Sequence, residues 1–164
     1  LLMNDNSNGT MIIVPAFMHC KEMKLNMVNW NLAINRLPEA KNVVPAMYSD
    51  LESDFQAAWR ESKTNAIIVG DGIRKAKQNI AEIKSDIILV DIPEALKELP
   101  KSANNADFRS AIMHKNQEYK DAMEHLGKLE AMLEHFESHM KTLENTSRFL
   151  KKQMDYIVRN GSSY

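Results

Sequence analysis

The clearest pattern in the chain is a 3-4 alternation of apolar positions along its last third. Behind the N-cap candidates Asn104 and Asp107 it runs through Phe108, Ile112, Lys115, Tyr119, Ala122, Leu126, Leu129, Leu133, Phe136, Met140, Leu143, Ser147, Leu150, Met154 and Ile157. Thirteen of these fifteen positions are apolar or aromatic, where a composition of 44% hydrophobic residues would place about six or seven. The phase never slips and no proline interrupts it, which predicts one helix of about 50 residues, roughly 75 Å long. Asn160 and Gly161 supply the stop. A helix of that length cannot bury its seam on a small compact domain. It needs a second long helix, from the same chain or from another copy.

The segment from Asp50 to Asp91 supports two readings. In the first, Leu51, Phe55, Ala58, Ser62, Ala66, Val69, Ile73, Ala76, Ile80, Ile83, Ile87 and Val90 continue a 3-4 pattern with one extra four-residue step near Ser62. This predicts the partner arm of an antiparallel helical hairpin, turned through Pro93 and Pro100. In the second, Ala66 to Val69 and Asp86 to Val90 are strands on either side of a helix from Ile73 to Lys84. With Met11 to Val14 and Asn42 to Val44 these would form a small parallel α/β domain. Gly70 and Gly72 favour the strands, since two glycines inside a helix cost about 2 kcal/mol relative to alanine. The unpartnered seam downstream favours the hairpin.

The first fifty residues are less patterned. Leu1 to Thr10 is polar and reads as a disordered tail, and Pro15, Pro38 and Pro45 cut the rest into short pieces. Only Cys20 to Arg36 has room for a helix of several turns, and five of the eleven methionines between Met11 and Met47 suit deformable packing. The expected organisation is a tail over 1–10, an N-terminal domain over 11–100 and a long coiled-coil helix over 106–158. The expected fold class is mainly α and elongated, with a small N-terminal α/β domain plus long helix as the alternative.

Composition narrows the functional classes. The 164 residues carry 21 basic and 22 acidic side chains, a net charge of −1, so any nucleic-acid site must be local. One cysteine, Cys20, excludes an internal disulfide framework and fits a reducing, cytoplasmic setting. No stretch is apolar enough for a membrane helix, so no membrane partner is expected.

Local charge is more informative than the total. From Ala106 to Met140 seven acids outnumber four bases, whereas from Lys141 to Tyr164 five bases, Lys141, Arg148, Lys151, Lys152 and Arg159, outnumber two acids. Such a basic end can grip phosphates, with Phe149, Tyr156 and Tyr164 as stacking surfaces, or it can simply complement a helix C-terminus.

Other constellations are weaker. Val69-Gly70-Asp71-Gly72 imitates a dinucleotide-binding turn, but Lys75 stands where a third glycine belongs and Asp71 opposes phosphate. His114, His125, His135 and His139 fall on flanking or outer heptad positions and read as solvated. The His135 and His139 pair has no carboxylate beside it to complete a metal site, so no metal and no cofactor are expected. His19 beside Cys20 lacks the further groups a thiol nucleophile needs, and no enzymatic activity is expected.

The stretch from Leu99 to Ala111, the following Glu118-Tyr119, and Lys141 to Asn145 leading into Phe149 to Tyr156 together resemble the helical region of UvsY-type phage recombination mediators. The resemblance covers about a third of the chain. It implies a helical, homo-oligomeric, non-enzymatic protein that binds single-stranded DNA and helps load a recombinase. Lys141, Arg148, Lys151 and Lys152 would then contact nucleic acid, joined on charge by Arg159. Leu126, Leu129, Leu133, Phe136, Met140, Leu143, Leu150 and Met154 are expected to form the oligomerisation seam. Two alternatives remain open: a structural or adaptor coiled coil that binds another protein, and a small α/β nucleotide-binding domain on a coiled-coil stalk.

Overall fold

The computed structural model describes residues 2–6, 10–14, 23–97, 99 and 104–161. Three short strands, β1 (Leu2–Asn6), β2 (Thr10–Val14) and β3 (Met23–Asn26), form an antiparallel sheet in the order β1-β2-β3, with Leu2 opposite Val14 and Thr10 opposite Asn26. Helix α1 (Val28–Arg36), a 3-10 turn (Glu39–Asn42) and the 42-residue α2 (Pro45–Asp86) follow. A π-helical turn (Ile87–Asp91), α3 (Ile92–Leu96), α4 (Ala106–Lys115) and the 45-residue α5 (Gln117–Gly161) complete the chain. The fold is mainly α.

Helix α2 decides between the two readings of 50–91. It runs unbroken through Gly70 and Gly72, so the predicted strands at 66–69 and 86–90, and with them the parallel α/β domain, are absent. Residues 42–44 are not a strand either. Of the strands that reading used, only the one at 11–14 is present, and it pairs antiparallel. Helix wins over the two glycines because the apolar side chains on either side of them keep one face: Leu51, Phe55, Ala58, Val69, Ile73, Ala76, Ile80, Ile83 and Ile87 are all buried. Pro45 opens the helix where its missing N–H costs nothing. At the other end of the chain the opening residues depart from the expected tail. Residues 2–6 pair with residues 10–14, of which Thr10, Ile12, Ile13 and Val14 are β-branched, and the pairing runs through the backbone whatever the polarity of residues 4–6.

The long C-terminal helix is two helices. At Asn116 the backbone turns extended (φ −66°, ψ 118°), and its N–H closes α4 on the carbonyls of Ile112 and Met113, each at 3.2 Å. The Asn116 side-chain oxygen then caps α5 by accepting the Tyr119 N–H at 2.9 Å. The N-cap of α4 is Asn105, which accepts the Phe108 N–H at 2.9 Å.

Contacts group the chain into two units: Leu1–Val69 with Met132–Tyr164, and Gly70–Ala131. This differs from the linear division expected over 11–100 and 106–158, because α2 and α5 each contribute to both. In the first unit, Ala33 of α1, Ala40 and Val43 of the following turn, Leu51, Phe55 and Ala58 of α2, and Leu143 and Leu150 of α5 share one buried cluster. Trp30, Leu37, Met47, Tyr48 and Trp59 pack against it. Trp59 meets Glu144, and burial together with the Glu52 and Asp155 carboxylates raises the Tyr48 phenol above its usual range. In the second unit, Lys77 pairs with Glu130 at 3.2 Å, Lys84 lies over Tyr119, and Asn116 donates to Asp91 at 3.2 Å. In both units the residue number falls on α5 as it rises on α2, so within each unit the two helices run antiparallel.

Polar residues fasten α1 to the first unit. Met27, at the N-cap position, offers no side-chain cap. Instead Asn26 accepts the Val28 N–H (3.1 Å), while Glu61 of α2 accepts the N–H groups of Asn29 (3.0 Å) and Trp30 (2.8 Å). One turn along α2, Asn65 exchanges two hydrogen bonds with the backbone of Asn26, at 3.2 and 2.7 Å.

A β-carbon built on Gly70 meets nothing within 4 Å. Gly70→Ala should therefore stabilise the protein by about 0.5 to 1 kcal/mol, raising Tm by about 1 to 4 °C in a thermal melt followed by circular dichroism. A fall in Tm would mean that the backbone there requires glycine and that α2 is not continuous.

Candidate functional site

All five predicted basic residues lie on the C-terminal half of α5, in the first unit, and all are exposed. At 100° per residue, Lys141, Arg148, Lys152 and Arg159 fall within about 20° of one line, while Lys151 stands about 80° round the helix. The buried Leu143 and Leu150 occupy the opposite side. The bases thus form a stripe facing solvent, and no ion pair is recorded for Lys141, Lys151, Lys152 or Arg159 among the described residues. Arg148 is 74% exposed, with only a loose contact to Glu144 at 3.9 Å. Phe149 and Tyr156 flank the stripe and are themselves exposed; Tyr164 lies outside the described residues.

The residues expected to form an intermolecular seam are placed differently. Leu126, Leu129, Phe136, Leu143 and Leu150 are buried within the single chain, and Leu133, Met140 and Met154 are partly buried. Because α2 supplies an apolar face to α5, this seam is covered without a second copy.

Beside the stripe, α2 and α5 of the first unit enclose a groove of about 400 Å³. Phe55 and Leu143, both fully buried, make its floor. Trp59 forms a wall, its indole N–H donating to Glu144 at 3.0 Å and its ring lying 5.0 Å beneath the Lys63 ammonium. Arg60 and Arg148 stand at the rim, with Gln56 and Ser147 between. Nothing in the sequence pattern pointed to Trp59, Arg60 and Lys63 as neighbours of Arg148. An aromatic followed by bases one and four positions on is a usable signal only once the register of α2 on α5 is known.

The histidines correct the expectation of solvated side chains. His114 and His135 are exposed, but His125 and His139 are buried. At His139 the reason is α1: Trp30 lies flat on the imidazole, centroids 3.4 Å apart and planes within 7°, so the buried face of α5 is wider than its heptad seam. His135 and Phe136 meet His139 edge-on, at 4.0 and 5.9 Å. Burial, assisted by the neighbouring His135, lowers the His139 pKa to about 4. Burial also lowers that of His125.

Other candidates dissolve into structure. The Gly70-Asp71-Gly72 segment is helical, and Asp71 pairs with Arg74, so no phosphate-binding turn exists there. Among the described residues no group of three His, Cys, Asp or Glu side chains is placed to hold a metal. His19 and Cys20 lie outside the described residues. Among the described residues, too, no helix is long and apolar enough to cross a membrane. Comparison of the chain with protein-family models, with curated proteins and with solved structures finds no match.

His139 generates a pH prediction. A histidine held near 4 in the fold and near 6.5 when unfolded gives the unfolded chain the greater proton uptake between those values. Its contribution is complete above pH 6.5 and lost as pH falls towards 4, a loss on the order of 3 kcal/mol. Denaturant melts across this window should show stability falling more steeply in the wild type than in His139→Phe, which keeps the stack on Trp30 without a titrating group. Equal slopes would remove His139 as the cause.

Proposed function

We propose that this is a non-enzymatic helical binding protein that holds single-stranded nucleic acid along the C-terminal half of α5. The observation that carries this reading is the solvent-facing alignment of Lys141, Arg148, Lys152 and Arg159 opposite the buried side of the helix. A cap on the helix dipole needs bases only in the last turn, whereas this stripe extends over about 27 Å. Successive phosphates along a strand present negative charge at that scale, and the exposed rings of Phe149 and Tyr156 offer faces for bases. The resemblance to UvsY-type mediators points the same way and would place the activity in phage recombination, in the cytoplasm of the host. Self-association belongs to that reading as well, and within the single chain the α5 seam is covered by α2.

A second reading has one observation in its favour. Ile88, Leu89 and Val90, in the π-helical turn of the second unit, are 47%, 70% and 53% exposed. Three consecutive exposed apolar side chains suit an adaptor that binds another protein.

Light-scattering mass measured with and without a fluorescent single-stranded oligonucleotide, at low and high salt, tests the first reading. Binding should weaken steeply with salt; four neutralised phosphates give a slope near −3 in log K against log salt. The triple variant Lys141→Glu, Arg148→Glu, Lys152→Glu should keep its helicity and lose that binding. No binding by the wild type at low salt would overturn the reading and leave the adaptor in front.

A further inference from the structure

The basic stripe by itself does not tell a single strand from a duplex, because both present phosphates. The groove next to it has the chemistry to do so. Its floor is apolar (Phe55, Leu143), one wall is the Trp59 indole, and its rim carries the Arg60 and Arg148 guanidinium groups. Its volume of about 400 Å³ falls in the range of roughly 300 to 1,000 Å³ typical of small-molecule sites. The indole is fixed in place: its N–H is engaged by Glu144, the Lys63 ammonium lies over one face of the ring, and the side chain packs against the core while remaining partly exposed at the groove. The charged residues that line the groove are Arg60 and Arg148 against Glu144, with Lys63 over the indole and Glu52 behind Gln56, so the rim itself carries a positive balance that complements phosphate. Arg148 belongs to both features, since it sits in the stripe and on the rim. A strand lying along the stripe therefore passes the mouth of the groove.

We propose that this groove receives an unpaired base of the strand bound along α5, stacked on Trp59 with its flanking phosphates between Arg60 and Arg148. This rests on the nucleic-acid reading above and adds to it the source of selectivity for single strands. A paired base is stacked on its neighbours and cannot enter without being pulled from the duplex, whereas an unpaired base enters at little cost. Glu144 acts as a positioning residue that fixes the indole.

The test measures affinity for a single-stranded oligonucleotide and for the matching duplex, with tryptophan emission recorded in parallel. Trp59→Leu should lower single-strand affinity roughly 5- to 150-fold, the range for losing one base–aromatic stack, and leave duplex affinity and the salt slope unchanged. Quenching of emission by the oligonucleotide should vanish in that variant, although Trp30 is still present. Because Trp59 also packs against the core, Arg60→Glu provides a second route: the side chain is exposed, and the variant should fold normally while losing single-strand affinity several-fold. Wild-type single-strand affinity and selectivity in a folded Trp59→Leu protein, or in Arg60→Glu, would overturn the proposal while leaving the stripe intact. Absence of any oligonucleotide binding by the wild type would overturn both. Competition by poly-glutamate as effective as that by the oligonucleotide would assign the groove to an acidic peptide and overturn it as well.

Discussion

The carboxylate of Glu61 is the constraint on which the first unit depends. It is buried, it sits in the middle of α2, and it accepts three N–H groups from α1: the backbone amides of Asn29 and Trp30 and the side-chain amide of Asn29. A helix start left without partners is costly, and α1 has no cap of its own at Met27. Its cap therefore comes from another helix, and the negative charge also meets the positive end of the α1 dipole. Hydrogen bonds to charged groups are each worth about 1.5 to 3 kcal/mol, which outweighs the loss of a single apolar contact at that position. The geometry follows from this clamp. With the start of α1 fixed to residue 61 and Asn26 fixed to Asn65, Trp30 is delivered onto His139 of α5 and Ala33 into the shared core. Arg36, paired with Glu39 and Asp54, secures the other end of the same helix.

The clamp also explains a slip in the apolar pattern. Buried positions on α2 proceed by alternating fours and threes through Ser62 and Asn65 to Val69, and then take a second consecutive four to Ile73. The pattern read from sequence placed its extra step near Ser62, because Ala66 is apolar and Asn65 is not. Polarity misled there: Asn65 is 2% exposed, its burial compensated by two hydrogen bonds with the backbone of Asn26 and a contact from its amide nitrogen to the Met27 sulfur. An inserted step of four locally unwinds a helix pair. In this chain it falls at the Val69–Gly70 boundary where the contacts divide. The α5 seam carries no such step, so the irregularity belongs to α2 alone.

What was legible follows from which physics acts locally. Helix against strand at 66–90 was decided by burial of one continuous face, a property that periodicity reports directly, and the antiparallel pairing of α2 with α5 within each unit follows from two such faces in one chain. The break at Asn116 was harder to see because the apolar phase continues across it. The only local sign was Lys115 at a seam position next to a good capping residue, and indeed no residue of α4 is buried. The burial of His139 could not be read from α5 at all, since the surface covering it arrives from α1, more than a hundred residues away in sequence. The opening strands were obscured for a related reason: their pairing is a backbone property, and the polar residues of β1 advertise nothing.

The same distinction applies to the site. The bases of α5 were visible in the sequence as a count, and the helix turned that count into a line because intervals of seven, four and seven residues all return to one face. The groove was not visible, because its two walls are about ninety residues apart and meet only through the α2–α5 register. That register is set by the packing of Phe55 and Ala58 with Leu143 and Leu150, and the Trp59–Glu144 hydrogen bond lies directly beside that cluster. A core contact therefore fixes the position of a surface aromatic to within one hydrogen bond. The floor of the candidate site is the core itself, so the same packing that folds the unit shapes the groove.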